Sequence, residues 1–247
     1  MRIPRLFQDT YLSVGDNIVL DAQAAVHVTR VLRLKPGDAV IVFNGHGGEY
    51  HGHVVTQEKR SAHIFLEKFV ERDVESPLQI TLAQGVSRGE RMDYTVQKAV
   101  ELGVTRIVPL QTERTGVKLQ GDRKQRRREH WQAIINSACE QSGRNIIPEL
   151  DDVESLPRYL ARCAESGPAT RLVLHHRTEH TLPQISQQGS EVVLLIGPEG
   201  GLSAEEIELA QQGGFNAIRF GPRVMRTETA AVAALAVLQA QWGDFKA

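Results

Sequence analysis

The sequence predicts an α/β chain: a C-terminal, mainly parallel sheet with helices on both faces, preceded by a small, mostly antiparallel β-barrel. Three observations predict it. From Leu78 onward, apolar strand-like runs alternate with helix-like segments, the pattern of a parallel sheet covered on both sides. Before Asp73, short β-rich runs are separated by the turn signals Lys35-Pro36-Gly37-Asp38 and Asn44-Gly45-His46-Gly47-Gly48. Between the two, Glu71 to Leu78 is polar and contains Pro77, which marks a linker. The expected domains are residues 1–73 and 77–247.

The elements follow in order. Asn17 to Asp21 is strand-like, and Ala22 to Leu34 has apolar residues at 24, 25, 28, 31 and 32, a helical spacing. In the C-terminal part, Leu78–Val86 reads as a strand and Gly89–Gly103 as a helix closed by glycine. Thr105–Thr112 is a strand, and a charged helix is expected over Asp122–Ser142. A helix near Val153–Ala164 and strands at Arg171–His176 and Glu191–Gly197 come next. Ser203 followed by Glu206 is a capping box, so a helix starts near Ala204. A strand at Asn216–Gly221 and a last helix over Thr227–Trp242 complete the chain.

Composition bounds the function. At 41% hydrophobic and 24% charged, the chain can build a core and is not a disordered tail. A formal net charge of -1 argues against nonspecific coating of nucleic acid but leaves room for a local basic patch. Cys139 and Cys163 make no CxxC pair, so neither a disulfide scaffold nor a zinc site is expected. The start, MRIPRLFQDT, lacks the apolar core of a signal peptide, and no apolar stretch is long enough for a bilayer. The expected location is the cytoplasm, with no membrane and no metal among the partners.

Two loops stand out. Gly197-Pro198-Glu199-Gly200-Gly201 lies between an apolar strand and the capped helix, at the strand edge where open α/β sheets bind ligands. Glycines there let the backbone approach a ligand closely. The loop is neither GxGxxG nor a P-loop, which speaks against a pyrophosphate cradle. Gly221-Pro222 follows the next apolar strand, and Arg223, Arg226, Thr227, Glu228 and Thr229 crowd the start of an Ala-rich helix. A helix cap at Thr227 with ordinary packing explains the threonine and the alanines. It does not explain Arg226, a cation at the positive end of a helix. Side by side, the two loops could wrap a small ligand in backbone amides and carbonyls. Neither brings a nucleophile–base or metal-ligand constellation, which suits a cofactor that carries its own reactivity.

LLIGPEGGLSAEEI and FGPRVMRTETAAVAAL resemble the hallmark motifs of SPOUT-class methyltransferases. SRGERMDYTVQKAVELGV, CEQSGRNIIPEL, RIPRLF and HVTRVLRLKPGD narrow the resemblance to the RsmE family of SPOUT-class RNA methyltransferases, along nearly the whole chain. That resemblance implies a trefoil knot in the C-terminal domain, a PUA-like N-terminal RNA-binding barrel, a homodimer and S-adenosyl-L-methionine as cofactor. It implies methylation of N3 of a uridine in 16S ribosomal RNA, within the small ribosomal subunit.

By the same resemblance, the cofactor sits among three loops. They contain Leu174 and His175; Leu195, Ile196, Gly197, Pro198, Glu199, Gly200 and Gly201; and Phe220, Gly221, Val224, Met225, Arg226, Thr227 and Thr229. Leu195, Ile196, Phe220, Val224 and Met225 are suited to be apolar walls for adenine. The candidate catalytic residues are Arg226, to stabilise the uracil anion, and Glu228 or Glu199, to accept a proton or hold Arg226. Expected RNA contacts are Arg2, Arg5, Arg30, Arg33, Lys35, Arg88, Arg114, Lys118 and Arg144. The run Arg123–Arg128 fits a solvated helix face nearly as well as a phosphate contact. A related SPOUT enzyme acting on transfer RNA or a ribose 2'-hydroxyl, or a noncatalytic ribosome-assembly factor, are the alternatives.

Overall fold

The computed structural model describes residues 3–58, 61–117 and 119–245. Arg2 and Lys118, both expected to contact RNA, lie outside the described residues. The chain divides into two compact units, one of residues 1–75 and 136–147, the other of residues 76–135 and 148–247.

In the first unit a five-stranded sheet contains β1 (Arg5–Phe7), β2 (Asn17–Val19), β3 (Ala39–Phe43), β4 (Glu49–Glu58) and β5 (Ser61–Val70), in the order β1-β3-β4-β5-β2. Only β1 and β3 run parallel. Alternate residues Val40, Val42, Val54, Ile64 and Leu66 point into one apolar core with Leu6, Leu20 and Val28. The helix expected over 22–34 is shorter. Asp21 caps α1 (Ala22–Val26) by accepting from the Gln23 and Ala24 amides. The chain then widens into a π-helical turn, His27–Leu32, and Arg33 closes it with φ 55°. Apolar periodicity tracks which face is buried and is blind to this change of hydrogen-bond pitch.

The second unit is a seven-stranded, all-parallel sheet. Its strands are β6 (Gln79–Gly85), β7 (Val104–Gln111), β8 (Glu149–Leu150), β9 (Glu154–Ser155), β10 (Thr170–Leu174), β11 (Glu191–Ile196) and β12 (Asn216–Ile218). The order is β12-β10-β11-β6-β7-β8, with β9 also paired to β7. Helices α4 (Leu156–Glu165) and α5 (Ala204–Gln212) bury Leu156, Leu160, Ile207 and Ala210 on one face, against Ala83, Val108, Val173 and Leu195. Helix α2 (Glu90–Glu101) packs against β7 and against α6 (Thr227–Gln241), and α6 also packs against β11. The long helix α3 spans Asp122–Ser142, the range its charge and spacing predict.

One sequence expectation needs correction here, and two further points are decided only by the fold. The strand expected over Asn216–Gly221 stops at Ile218, because the Arg219 amide leaves the sheet to donate to the His180 carbonyl at 2.9 Å. The strands bearing the two Gly-Pro loops are consecutive in sequence but not neighbours, since β10 lies between β11 and β12. Thr227 is not the helix cap either. Arg226 holds that position, and Thr227 is the first residue of α6.

Candidate active site

The last residues of β10, β11 and β12 are Leu174, Ile196 and Ile218, and all three line one cavity of about 810 Å³. It therefore opens at the carboxyl edge of a parallel sheet, where strand order reverses and side chains give way to loops. The sequence-predicted residues His175, Gly197, Pro198, Glu199, Gly200, Gly201, Phe220, Gly221, Val224, Met225, Arg226, Thr227 and Glu228 line the same cavity. Leu195 and Thr229 do not. Leu195 points into the α4–α5 core, and Thr229 is exposed on the first turn of α6.

Although β11 and β12 are separated in the sheet, their loops are tied together by buried hydrogen bonds. The Thr227 hydroxyl donates to the Gly197 carbonyl at 2.7 Å. Gln84, fully buried at the end of β6, donates to the Thr227 hydroxyl at 3.0 Å and to the Gly197 carbonyl at 3.3 Å. A glycine is required at the centre of this junction. A Cβ on Gly197 would lie 2.8 Å from the Gly201 carbonyl carbon and the Leu202 nitrogen. Helix α5 then starts on the predicted capping box, with Ser203 and Glu206 bonded to each other's amides. Sequence reading missed Gln84. A lone amide in the apolar run ITLAQGV was the available signal, because a buried amide has to find partners.

Arg91, on the first turn of α2, was also missed. It donates to Glu199 Oε1 at 3.0 Å, and its Nε lies 4.0 Å from Glu228 Oε1. The ion partner of Glu199 is therefore Arg91 and not the expected Arg226, whose side chain is exposed at the rim. Glu199 also accepts from the Arg88 amide at 2.8 Å. Partial burial pushes the Glu199 carboxyl up. Hydrogen bonds from the Arg88 amide, its own amide and Arg91 outweigh that and hold it below 4.5. A carboxyl lowered in the folded state stabilises the fold above its unfolded value of 4.5 and loses that contribution as pH falls through the lower folded value. The stability difference between wild type and Glu199→Gln, followed by chemical denaturation, should be full at neutral pH and shrink in that acid window. A difference independent of pH would contradict this network.

The expected RNA contacts divide by environment. Arg5 is buried, ion-paired to Glu49, and donates to Asn145 and to the Arg144 carbonyl; Arg144 is buried and ion-paired to Glu75. Both guanidinium groups are committed within the first unit and are not available to a phosphate. Burial alone would raise the Glu49 carboxyl, but hydrogen bonds from Arg5, His51 and Asn145, with the charge of Arg5, lower it overall. Arg30, Arg33 and Lys35 are exposed around the π-helical turn. Arg88 donates to the Gly116 carbonyl at 3.3 Å, and Arg114 to the Gly200 carbonyl at 3.2 Å. Arg114 thus forms part of the cavity wall.

Known proteins resemble this chain along nearly its whole length. Residues 74–239 match the RNA methyltransferase domain family, and residues 20–67 match the RNA methyltransferase PUA domain. The ribosomal RNA small subunit methyltransferase E of Buchnera aphidicola (subsp. Schizaphis graminum) is 35% identical over 98% of each chain. A putative methyltransferase of Legionella pneumophila, solved with bound S-adenosylmethionine, is 40% identical with a TM-score of 0.95, covering 99% of this chain and 100% of that one. A ribosomal RNA small subunit methyltransferase E of Neisseria gonorrhoeae, also bound to S-adenosylmethionine, is 38% identical with a TM-score of 0.90 over the same shares.

Proposed function

The chain belongs to the RNA methyltransferase family, among the ribosomal RNA small subunit methyltransferases E, and from that premise we propose that it transfers the methyl group of S-adenosylmethionine to N3 of a uridine in 16S ribosomal RNA. The observation that carries this reading is the single cavity in which the ends of three parallel strands and both Gly-Pro loops meet. Its residues fit the donor. Leu174, Ile196, Ile218, Phe220 and Met225 offer apolar walls for a flat purine, and the Gly197–Gly201 loop leaves backbone groups within reach of its edge. Glu228 brings a carboxylate to the cavity wall for a cationic ligand, with one oxygen near Arg91 and the other buried without a hydrogen-bond partner among the described residues.

Bound there, the sulfonium supplies an electrophilic methyl group, so the chain's share of the work is alignment and charge. Fixing donor and acceptor in line is worth up to roughly 7–11 kcal/mol in well-oriented cases. The hydrogen bonds among Gln84, Thr227 and Gly197 hold the loops for that purpose. Arg226, at the rim, stabilises the negative charge that uracil gains as N3 loses its proton. Glu199 stays ionised and holds Arg91, which leaves Glu228 as the carboxylate to receive the proton or to support Arg91. The target base leaves its stack to reach the cavity, so an unpaired or loosely paired site is the substrate. The knotted path, the homodimer and the cytoplasmic setting belong to the same proposal.

Nucleoside mass spectrometry of 16S ribosomal RNA and of transfer RNA, each purified from a deletion strain, tests the reading. Loss of 3-methyluridine, restored by the purified protein with S-adenosylmethionine, is the expected result. Loss of a ribose methyl or a transfer-RNA mark in its place would replace it.

A further inference from the structure

We propose that Arg177, Arg219 and Arg223 form a clamp for RNA backbone phosphates at the rim of the cavity, holding the strand on either side of the target base. The inference rests on the RNA methyltransferase reading and adds a second binding site to it. All three arginines line the cavity that the cofactor loops enclose. Local hydrogen bonds bring them together. Strands β10 and β12 pair with Leu174 opposite Ile218. Beyond those residues, the His175 amide donates to the Ile218 carbonyl and the Arg219 amide to the His180 carbonyl, both at 2.9 Å. The segment that carries Arg177 is thereby fastened to the segment that carries Arg219. Arg223 follows Gly221, whose φ of 68° turns the chain at the rim.

The charge balance of the cavity points to an anionic occupant on this side. Its carboxylates Glu199 and Glu228 lie on the Arg91 side, Glu199 hydrogen-bonded to Arg91 and the Arg88 amide and Glu228 4.0 Å from Arg91, while Glu208 accepts from Gln212 on its own helix. Among the described residues, none of the three rim arginines has an acidic partner. The pKa of His175, which lines the same cavity, is lowered by burial first and then by its neighbours His176 and Arg177. A donor that is itself cationic at sulfur does not relieve this positive field, whereas a phosphodiester does. The arginines are planar forks that take phosphate oxygens two at a time, and Arg177 and Arg223 are exposed on the cavity wall, with Arg219 half-buried in the same loops.

The test uses full-length protein, purified 16S ribosomal RNA and an unrelated single-stranded RNA of similar length. Binding is measured across a salt series without cofactor, and S-adenosylmethionine affinity by calorimetry. The triple Arg177→Gln, Arg219→Gln, Arg223→Gln should lower the slope of log affinity against log salt by about 2, at about 0.7 per single-strand phosphate contact, on both RNAs. The KM for RNA should rise about tenfold or more, while S-adenosylmethionine affinity stays within about threefold. The corresponding Arg→Lys triple should keep the slope, since it keeps the charge. If the Gln triple is poorly folded, Arg223→Gln alone should lower the slope by about 0.7. An unchanged slope and KM, or a loss confined to S-adenosylmethionine binding, would overturn the clamp. A wild type that binds RNA through these arginines yet yields no methylated nucleoside would overturn the transferase reading and leave the clamp standing.

Discussion

Gly197→Ala is expected to weaken S-adenosylmethionine binding by about 10- to 100-fold and to lower the melting temperature by several degrees. The new methyl group would meet backbone at 2.8 Å on two atoms of the same loop, and backbone cannot swing aside as the end of a flexible side chain can. Overpacking of this kind costs about 1–3 kcal/mol, which is one to two decades in a binding constant. The same opening of the loop pulls the Gly197 carbonyl from Thr227 and Gln84, so binding and stability should fall together. Gly167→Ala is the matched control. Its Cβ meets nothing within 4 Å, and the change should leave both quantities unaltered. Calorimetric titration with a thermal melt decides the matter. If Gly197→Ala binds the donor as wild type does, the Gly-Pro loop is not its seat.

Arg226→Ala should cut kcat by about 100- to 1,000-fold, the usual loss when a charge-stabilising donor is removed, and should change S-adenosylmethionine affinity by less than about threefold. The residue caps α6 with its backbone, while its guanidinium is exposed at the rim and pairs with neither Glu199 nor Glu228. A cation placed ahead of a helix N-terminus is disfavoured by the helix dipole, so this side chain costs stability in the free protein. The compensating interaction is with charge that develops on the substrate. Single-turnover kinetics at saturating cofactor separate the outcomes. Normal turnover removes Arg226 from the chemistry, and a loss that appears only in cofactor affinity makes it a binding residue instead.

Much of this architecture is legible before any coordinates, and the legible parts are local. Helix α3 runs over the predicted residues, and the Ser203–Glu206 box forms its predicted hydrogen bonds, because each is decided by residues within one or two turns. The glycine loop is legible for a related reason: three glycines and a proline between strand and helix have no local use. The π-helical turn after α1 was hidden because the apolar spacing hardly differs between helix types. The roles of Arg5 and Arg144 were hidden because an arginine in a sequence looks the same whether its partner is a phosphate in solution or a carboxylate far along the chain. Here those partners are Glu49, 44 residues from Arg5, and Glu75, 69 residues from Arg144.

By itself, the sequence determined an alternating α/β chain with a ligand loop at a strand's carboxyl end, since hydrophobic period, capping and glycine placement act over a few residues. Only the tertiary structure decided that β10 comes between the two loop-bearing strands, that Thr227 and Gln84 nonetheless join those loops, and that Arg91 is the cation beside Glu199. Each of these contacts links residues roughly a hundred positions apart or separated by another strand. They depend on the order in which parallel strands assemble, and no local pattern encodes that order.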